Sequence, residues 1–161
     1  MKVILEGPDG IGKSTLANYL CEKYNLKIIH SSNKTENTLD YHNKLIESDN
    51  IVLDRANLGE VVYPIVFNRK PKMTWEEQLD FINNFDGIYI IFYASNFNDL
   101  KTRLFSRGDT EDVLNNAKEI NSLYTLLATI INKKIYKIDI SNINNQIEYF
   151  DEVILNDFNL R

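Results

Sequence analysis

The chain has 161 residues and a formal net charge of −5, with 43% hydrophobic and 25% charged residues. That length and balance suit one globular domain with a real core and exclude an intrinsically disordered chain. No apolar run approaches the roughly 20 residues of a membrane span, and the acidic balance leaves no global field for nucleic acid, so an anionic ligand must be met by a local cluster of cations.

The elements alternate from the start. Lys2 to Leu5 reads as a strand that runs into a glycine-rich turn, and the helix after it carries Leu16, Leu20 and Tyr24 on one face. Cys21, the only cysteine, lies on the apolar side of that helix and reads as a buried structural thiol. One cysteine permits no internal disulfide, and the amino terminus meets an acid and a glycine loop too early for a signal peptide; both point to the cytoplasm. Further strands are expected at Lys27 to His30, Ile51 to Asp54, Ile88 to Tyr93 and Lys134 to Ile140. The first three of these are short continuous apolar runs, the pattern of strands buried on both faces.

Helices are expected between them. Thr74-Trp75-Glu76-Glu77 is a capping box opening a helix with Leu79, Ile82 and Phe85, and Gly87 is placed to close it. Val113, Ala117, Ile120, Tyr124, Leu127 and Ile131 form an amphipathic stripe after Asp109, and a last helix is expected from Ile143 to Phe158. Pro64 and Pro71 bracket a segment expected to be irregular or kinked. Strand–helix alternation without a linker or repeat implies a doubly wound α/β domain over residues 1–161: a five-stranded parallel sheet with helices on both faces.

Gly7-Pro8-Asp9-Gly10-Ile11-Gly12-Lys13-Ser14 fits G-x-x-x-x-G-K-(S/T), with Thr15 following. Its context, strand before and amphipathic helix after, is that of a nucleoside triphosphate-binding loop. Glycines let consecutive N–H groups turn inward as an anion nest, and the helix start adds a positive dipole end. Lys13 is assigned to the β- and γ-phosphates of ATP, and the hydroxyl of Ser14 to Mg²⁺. The only Asn-Lys run with a GTPase flavour, Asn33-Lys34-Thr35-Glu36, comes too early and ends in Glu. The only D-x-x-G, Asp9 to Gly12, lies inside the loop itself. A GTPase is thereby disfavoured, the chain has no room for the insertions of a motor, and a small-molecule kinase remains.

Leu5-Glu6-Gly7-Pro8-Asp9-Gly10-Ile11-Gly12-Lys13-Ser14-Thr15 resembles the thymidylate kinase form of this loop, F/L-E-G-x-D-G-x-G-K-S/T-T. Asp54-Arg55 with Tyr63 resembles that family's D-R-Y-x-x-S-x-x-A-Y-Q in spacing. Arg103-Leu104-Phe105-Ser106-Arg107-Gly108-Asp109 resembles the arginine-bearing lid of thymidylate and deoxynucleoside kinases, here a short lid around residues 103–112. The resemblance implies a kinase domain that takes ATP and Mg²⁺, a nucleotide acceptor and a homodimer. Within it Asp54 holds Mg²⁺ directly or through water, Arg55 grips the acceptor phosphate, and Asp9 meets the acceptor sugar's 3′-hydroxyl. Arg103 and Arg107, four residues apart on a helix, point the same way and would stabilise the transferred phosphoryl.

The sequence departs from that pattern in Ala56, Gly59 and Pro64, which replace the family's Tyr, Ser and Gln, and it has no arginine between Lys13 and Asp54. Base recognition is therefore expected from Tyr63, Phe67 and Arg69, or from Tyr41. Deoxynucleoside kinases take a general base from a glutamate just after strand two, whereas Ile28-Ile29-His30-Ser31-Ser32-Asn33 carries none. A phosphate monoester with its second pKa at about 6 is already anionic at neutral pH and needs no base. The preferred acceptor is thus a deoxynucleoside monophosphate, dTMP first. The rivals are a deoxynucleoside kinase and a non-catalytic nucleotide-binding regulatory protein.

Overall fold

A computed structural model of the chain describes residues 1–31, 38–109, 111–131 and 135–159, and the backbone but not the side chain of Asp112. The run Asn33 to Glu36, the expected strand start Lys134, position 110 within the expected lid and the terminal Arg161 lie outside the described residues. In chain order the elements are β1 (Lys2–Glu6), α1 (Lys13–Tyr24), β2 (Lys27–His30), α2 (Leu39–Ile46), β3 (Ile51–Asp54), α3 (Gly59–Val66) and α4 (Trp75–Asn84). Then follow β4 (Ile88–Tyr93), α5 (Phe97–Arg107), α6 (Glu111–Ile130), β5 (Ile135–Asp139), α7 (Gln146–Tyr149), a π-helical turn (Phe150–Ile154) and α8 (Leu155–Asn159).

The five strands are all parallel, in the order β2-β3-β1-β4-β5. Alternation along β1 divides the interior in two. Val3 and Leu5 face a cluster with Leu16 and Leu20 of α1, Leu100 and Leu104 of α5, and Phe150 and Ile154 of the π turn. Ile4 faces the other, with Leu58, Val62, Phe81, Ile82, Tyr124 and Leu127 from α3, α4, α6 and the loop before α3. Helices thus cover both faces, as an all-parallel sheet requires.

Several sequence expectations need correction. β2 is an edge strand with Lys27 and His30 exposed, so it is not buried on both faces; β1 is the central strand instead. The Thr74 capping box forms as expected, but α4 ends at Asn84 and Phe85 leaves it in extended conformation. Gly87 serves a different purpose: a Cβ there would lie 2.4 Å from the carbonyl oxygen of Lys2, so glycine permits β4 to start beside β1. The irregular segment expected from Pro64 starts later: Pro64 lies inside α3, where it has no N–H to donate to the carbonyl of Glu60, and the helix runs only to Val66.

The last helix starts at Gln146, capped by the Asn145 side chain, and widens into the π turn. That turn buries Phe150 and Ile154 while aiming Asp151 at α1, where it meets Tyr19 and Lys23. Cys21 is half-buried, and burial pushes its thiol pKa up. No helix among the described residues is long and apolar enough to cross a membrane.

Candidate active site

The carboxyl ends of β1 and β3 lie side by side, Leu5 pairing with Asp54. From β1 the chain runs first toward β3 and β2, later toward β4 and β5, so the crevice beyond these two strands is where an open parallel sheet binds ligands. Asp9, Gly10, Ile11, Gly12, Lys13, Ser14, Thr15, Asp54, Arg55 and Arg107 line one cleft there of about 290 Å³. The sequence named all ten of these residues.

The loop wraps on glycine geometry. Gly12 takes φ +106° as it hands the chain to α1, and Gly10 takes φ +73°. A Cβ on Gly10 would stand 2.6 Å from Leu104 Cδ2, so this glycine also lets α5 press directly on the loop. Gly7 does not line the cleft. Lys13 is 5% exposed, and its Nζ donates to the carbonyls of Gly7 (2.9 Å) and Pro8 (2.6 Å). Burial, with Arg55 nearby, lowers its pKa to about 8 against the pull of Asp54, Asp9 and Glu6.

Opposite the loop, Ser14 Oγ donates to Asp54 Oδ2 at 3.4 Å, and His30 Nδ1 lies 3.1 Å from the same oxygen. Asp54 Oδ1 is buried without a hydrogen-bond partner. Two hard oxygen donors, one carrying an orphaned buried carboxylate oxygen, suit Mg²⁺. That ion is commonly held by one or two side chains, waters and substrate phosphates.

Arg55 follows β3 in the left-handed conformation, φ +64°. Its guanidinium donates to the Asp9 carboxylate and sits 5.2 Å from the centre of the Tyr63 ring. Burial works against its charge, but Tyr63, Asp9, Tyr124 and Asp54 more than compensate, so Arg55 is held firmly protonated. The stack continues outward. Tyr63 lies parallel to Phe67 at 6.2 Å, and the Arg69 guanidinium covers Phe67 at 4.8 Å. Tyr63 and Phe67 meet because they are four apart on α3 and its end. Tyr63 Oη is buried and unpartnered, and burial raises its pKa.

The arginine pair lies on the last two turns of α5. Arg107 reaches the cleft and pairs with Asp109 at 2.9 Å. Arg103 approaches the loop from its outer side, Nη1 at 3.5 Å from the carbonyl of Ile11. Arg69 does not line the cleft: it borders a separate hollow of about 350 Å³ with Pro64, Met73 and Trp75.

One neighbour of the loop was not anticipated. Gln146, first residue of α7, brings its amide nitrogen within 3.0 Å of where a Gly12 Cβ would lie, and Arg103 Nη1 stands 3.7 Å from the same point. The usable signal was topological: the turn after β5 opens on the same side of the sheet as the loop.

No family model matches this chain, and no curated protein matches it. Solved structures do share its fold. The YorR protein of Bacillus subtilis, in complex with phosphorylated GDP, is similar over 99% of this chain and 98% of its own, with 24% identity and a TM-score of 0.81. Deoxyadenosine kinase from M. mycoides, with the products dCMP and a flexible dCDP bound, covers 100% of both chains at 19% identity and a TM-score of 0.64. Shikimate kinase from Acinetobacter baumannii, in complex with shikimate, covers 97% of this chain and 93% of its own at 14% identity and a TM-score of 0.61. The chain therefore has the α/β fold of phosphate-loop kinases.

Proposed function

We propose that this chain is an ATP- and Mg²⁺-dependent kinase that transfers the γ-phosphoryl of ATP to a deoxynucleoside monophosphate, with dTMP the first candidate, to give the diphosphate. The observation that carries this reading is the convergence of Lys13, Ser14, Asp54, Arg55 and Arg107 on one cleft beside a glycine-turned loop. Its support is the resemblance to thymidylate kinases in the sequence and the fold shared with proteins described as deoxyadenosine and shikimate kinases.

The chemistry asks mainly for positioning and charge stabilisation. An oxygen of the acceptor phosphate attacks the γ-phosphorus, the bond from that phosphorus to the bridging β–γ oxygen breaks, and ADP leaves. Lys13 exchanges its two carbonyl partners for β- and γ-oxygens. Arg55 exchanges Asp9 for the acceptor phosphate, whose oxygens its fork fits better than an ammonium would. The released Asp9 carboxylate is then free for an acceptor hydroxyl. Arg107 leaves Asp109 to meet the charge that develops on the transferred group. Ser14 and Asp54 would hold Mg²⁺, which when bound would supply neutralisation of the negative charge on the donor's phosphates.

A second reading rests on the His30–Asp54 contact of 3.1 Å. A hydroxyl acceptor needs a general base, and a histidine oriented by a carboxylate at the end of β2 is one, which favours a nucleoside kinase. Labelled ATP offered to a panel of deoxynucleosides and their monophosphates separates the two. Label appearing in diphosphates supports the first reading, label in monophosphates the second, and tight ATP binding without transfer a regulatory nucleotide binder.

A further inference from the structure

Arg55 must hold a backbone conformation that non-glycine residues seldom adopt, φ +64°. Something outside the residue has to enforce it. Its own N–H donates to the carbonyl of Leu5 at 2.9 Å. Further along the turn, the N–H groups of Ala56 and Leu58 both donate to a single atom, Glu6 Oε1, each at 2.9 Å. The second carboxylate oxygen, Oε2, accepts from the Tyr124 hydroxyl of α6 at 3.0 Å.

Glu6 is wholly buried, and it does not touch the cleft. Burial raises its pKa, against hydrogen bonds from Ala56, Tyr124 and Leu58 and the charge of Arg55. An acid this buried is costly unless its neighbours use it. Here the turn closes around it. Leu58, at the N-cap of α3, has no side chain able to cap, and the Glu6 carboxylate supplies an acceptor at that end.

We infer that Glu6, braced by Tyr124, is the positioning residue that sets Arg55: it folds residues 55–58 around one carboxylate oxygen and thereby aims the guanidinium into the cleft. The functional part of this inference rests on the proposed role of Arg55 toward an acceptor phosphate. Its chemistry separates shape from charge. Glutamine keeps the pattern, with its carbonyl oxygen accepting the two N–H groups and its amide donating to the Tyr124 hydroxyl. Alanine loses every contact.

The test pairs structure with kinetics on the full chain. Crystal structures of Glu6→Gln and Glu6→Ala are expected to keep Arg55 at positive φ in the first and release it, with loss of its Asp9 contact, in the second. With ATP and the best monophosphate, Glu6→Ala should raise the acceptor KM by roughly 30-fold while the ATP KM stays within about threefold, with Glu6→Gln near wild type. Tyr124→Phe, which removes one hydroxyl that does not line the cleft, should raise the acceptor KM by about threefold and leave that of ATP unchanged; it decides the matter if Glu6→Ala does not fold. Arg55 unmoved in Glu6→Ala, or ATP and acceptor parameters changing together in Tyr124→Phe, would overturn the inference. Should the wild type transfer to no acceptor, the reading of the site fails, and the position of Arg55 in the variants alone decides this inference.

Discussion

The two walls of the cleft are built in different ways. The phosphate loop is made by contiguous residues: glycines at positive φ turn it, and Lys13 is satisfied by carbonyls five and six residues before it. The facing wall is assembled from distant parts of the chain. Arg55 meets Asp9 across 46 residues, and the acid beneath its turn bonds across 50, 52 and 118. The first wall is specified locally and tolerates change elsewhere. The second is cooperative, so changes remote from any ligand should reach it.

Substitutions can break or sharpen that contrast. The largest expected effect is on the local wall: Lys13→Ala should lower turnover by on the order of 10²–10³ while the far-ultraviolet spectrum stays unchanged, since it removes the charge that the proposed function assigns to the transferring group. On the assembled wall, Arg55→Ala should lower kcat/KM for the acceptor by about 10², with ATP affinity measured by calorimetry within about threefold of wild type. Equal losses for both substrates would erase the distinction between the walls.

A third expectation lies outside both walls, where α2 packs on α4. His42 is fully buried against Tyr41 and Phe81, at ring-centre distances of 5.4 and 5.6 Å, with neither ring nitrogen hydrogen-bonded. Burial pushes its pKa down to about 4. Between that value and its unfolded value of about 6.5, the unfolded chain binds more protons than the folded one. Its contribution is therefore complete above about pH 6.5 and is lost as pH falls toward 4, by up to about 3 kcal/mol. Urea titrations at successive pH values should find that slope reduced in His42→Leu.

Smaller effects probe contacts with each wall. Gly10→Ala should cost about 1–3 kcal/mol in thermal stability through its positive φ and its collision with Leu104, and pairing it with Leu104→Ala should recover the collision part alone. Tyr63→Phe is the mildest. Removing a buried, unpartnered hydroxyl should leave stability unchanged or raise it slightly, while weakening acceptor binding by a few-fold if that hydroxyl meets the base.

What could be read from the sequence follows the same division. The loop, all five strands nearly to their ends and the Thr74 capping box were legible, because periodicity and short motifs report local structure. The place of each strand in the sheet was less so: Lys27 to His30 carries the apolar pair Ile28-Ile29, which reads like part of a buried run, yet the strand has one neighbour. Gly87 looked like a helix terminator, but its small size is needed by the passing carbonyl of Lys2, a contact no local pattern encodes. The π turn at Phe150–Ile154 was invisible for a similar reason, since it arises from burying two side chains while reaching α1 with a third. In the site, all ten cleft-lining residues were named from motifs. Glu6 was quoted only as part of a motif, and Tyr124 only as one position in a helical stripe. Gln146 was not singled out, since its place beside Gly12 depends on how β5 and α7 are packed.

The central claim is that the cleft joins two nucleotides, phosphate to phosphate, with the loop on one and Arg55 on the other. The most direct measurement is calorimetry with a bisubstrate ligand, adenosine and deoxythymidine joined through five phosphates, compared with ATP in wild type and Arg55→Ala. Binding at least 10²-fold tighter than ATP, an advantage that disappears in Arg55→Ala, is the expected result. Affinity no greater than that of ATP, or an advantage indifferent to Arg55, would contradict it.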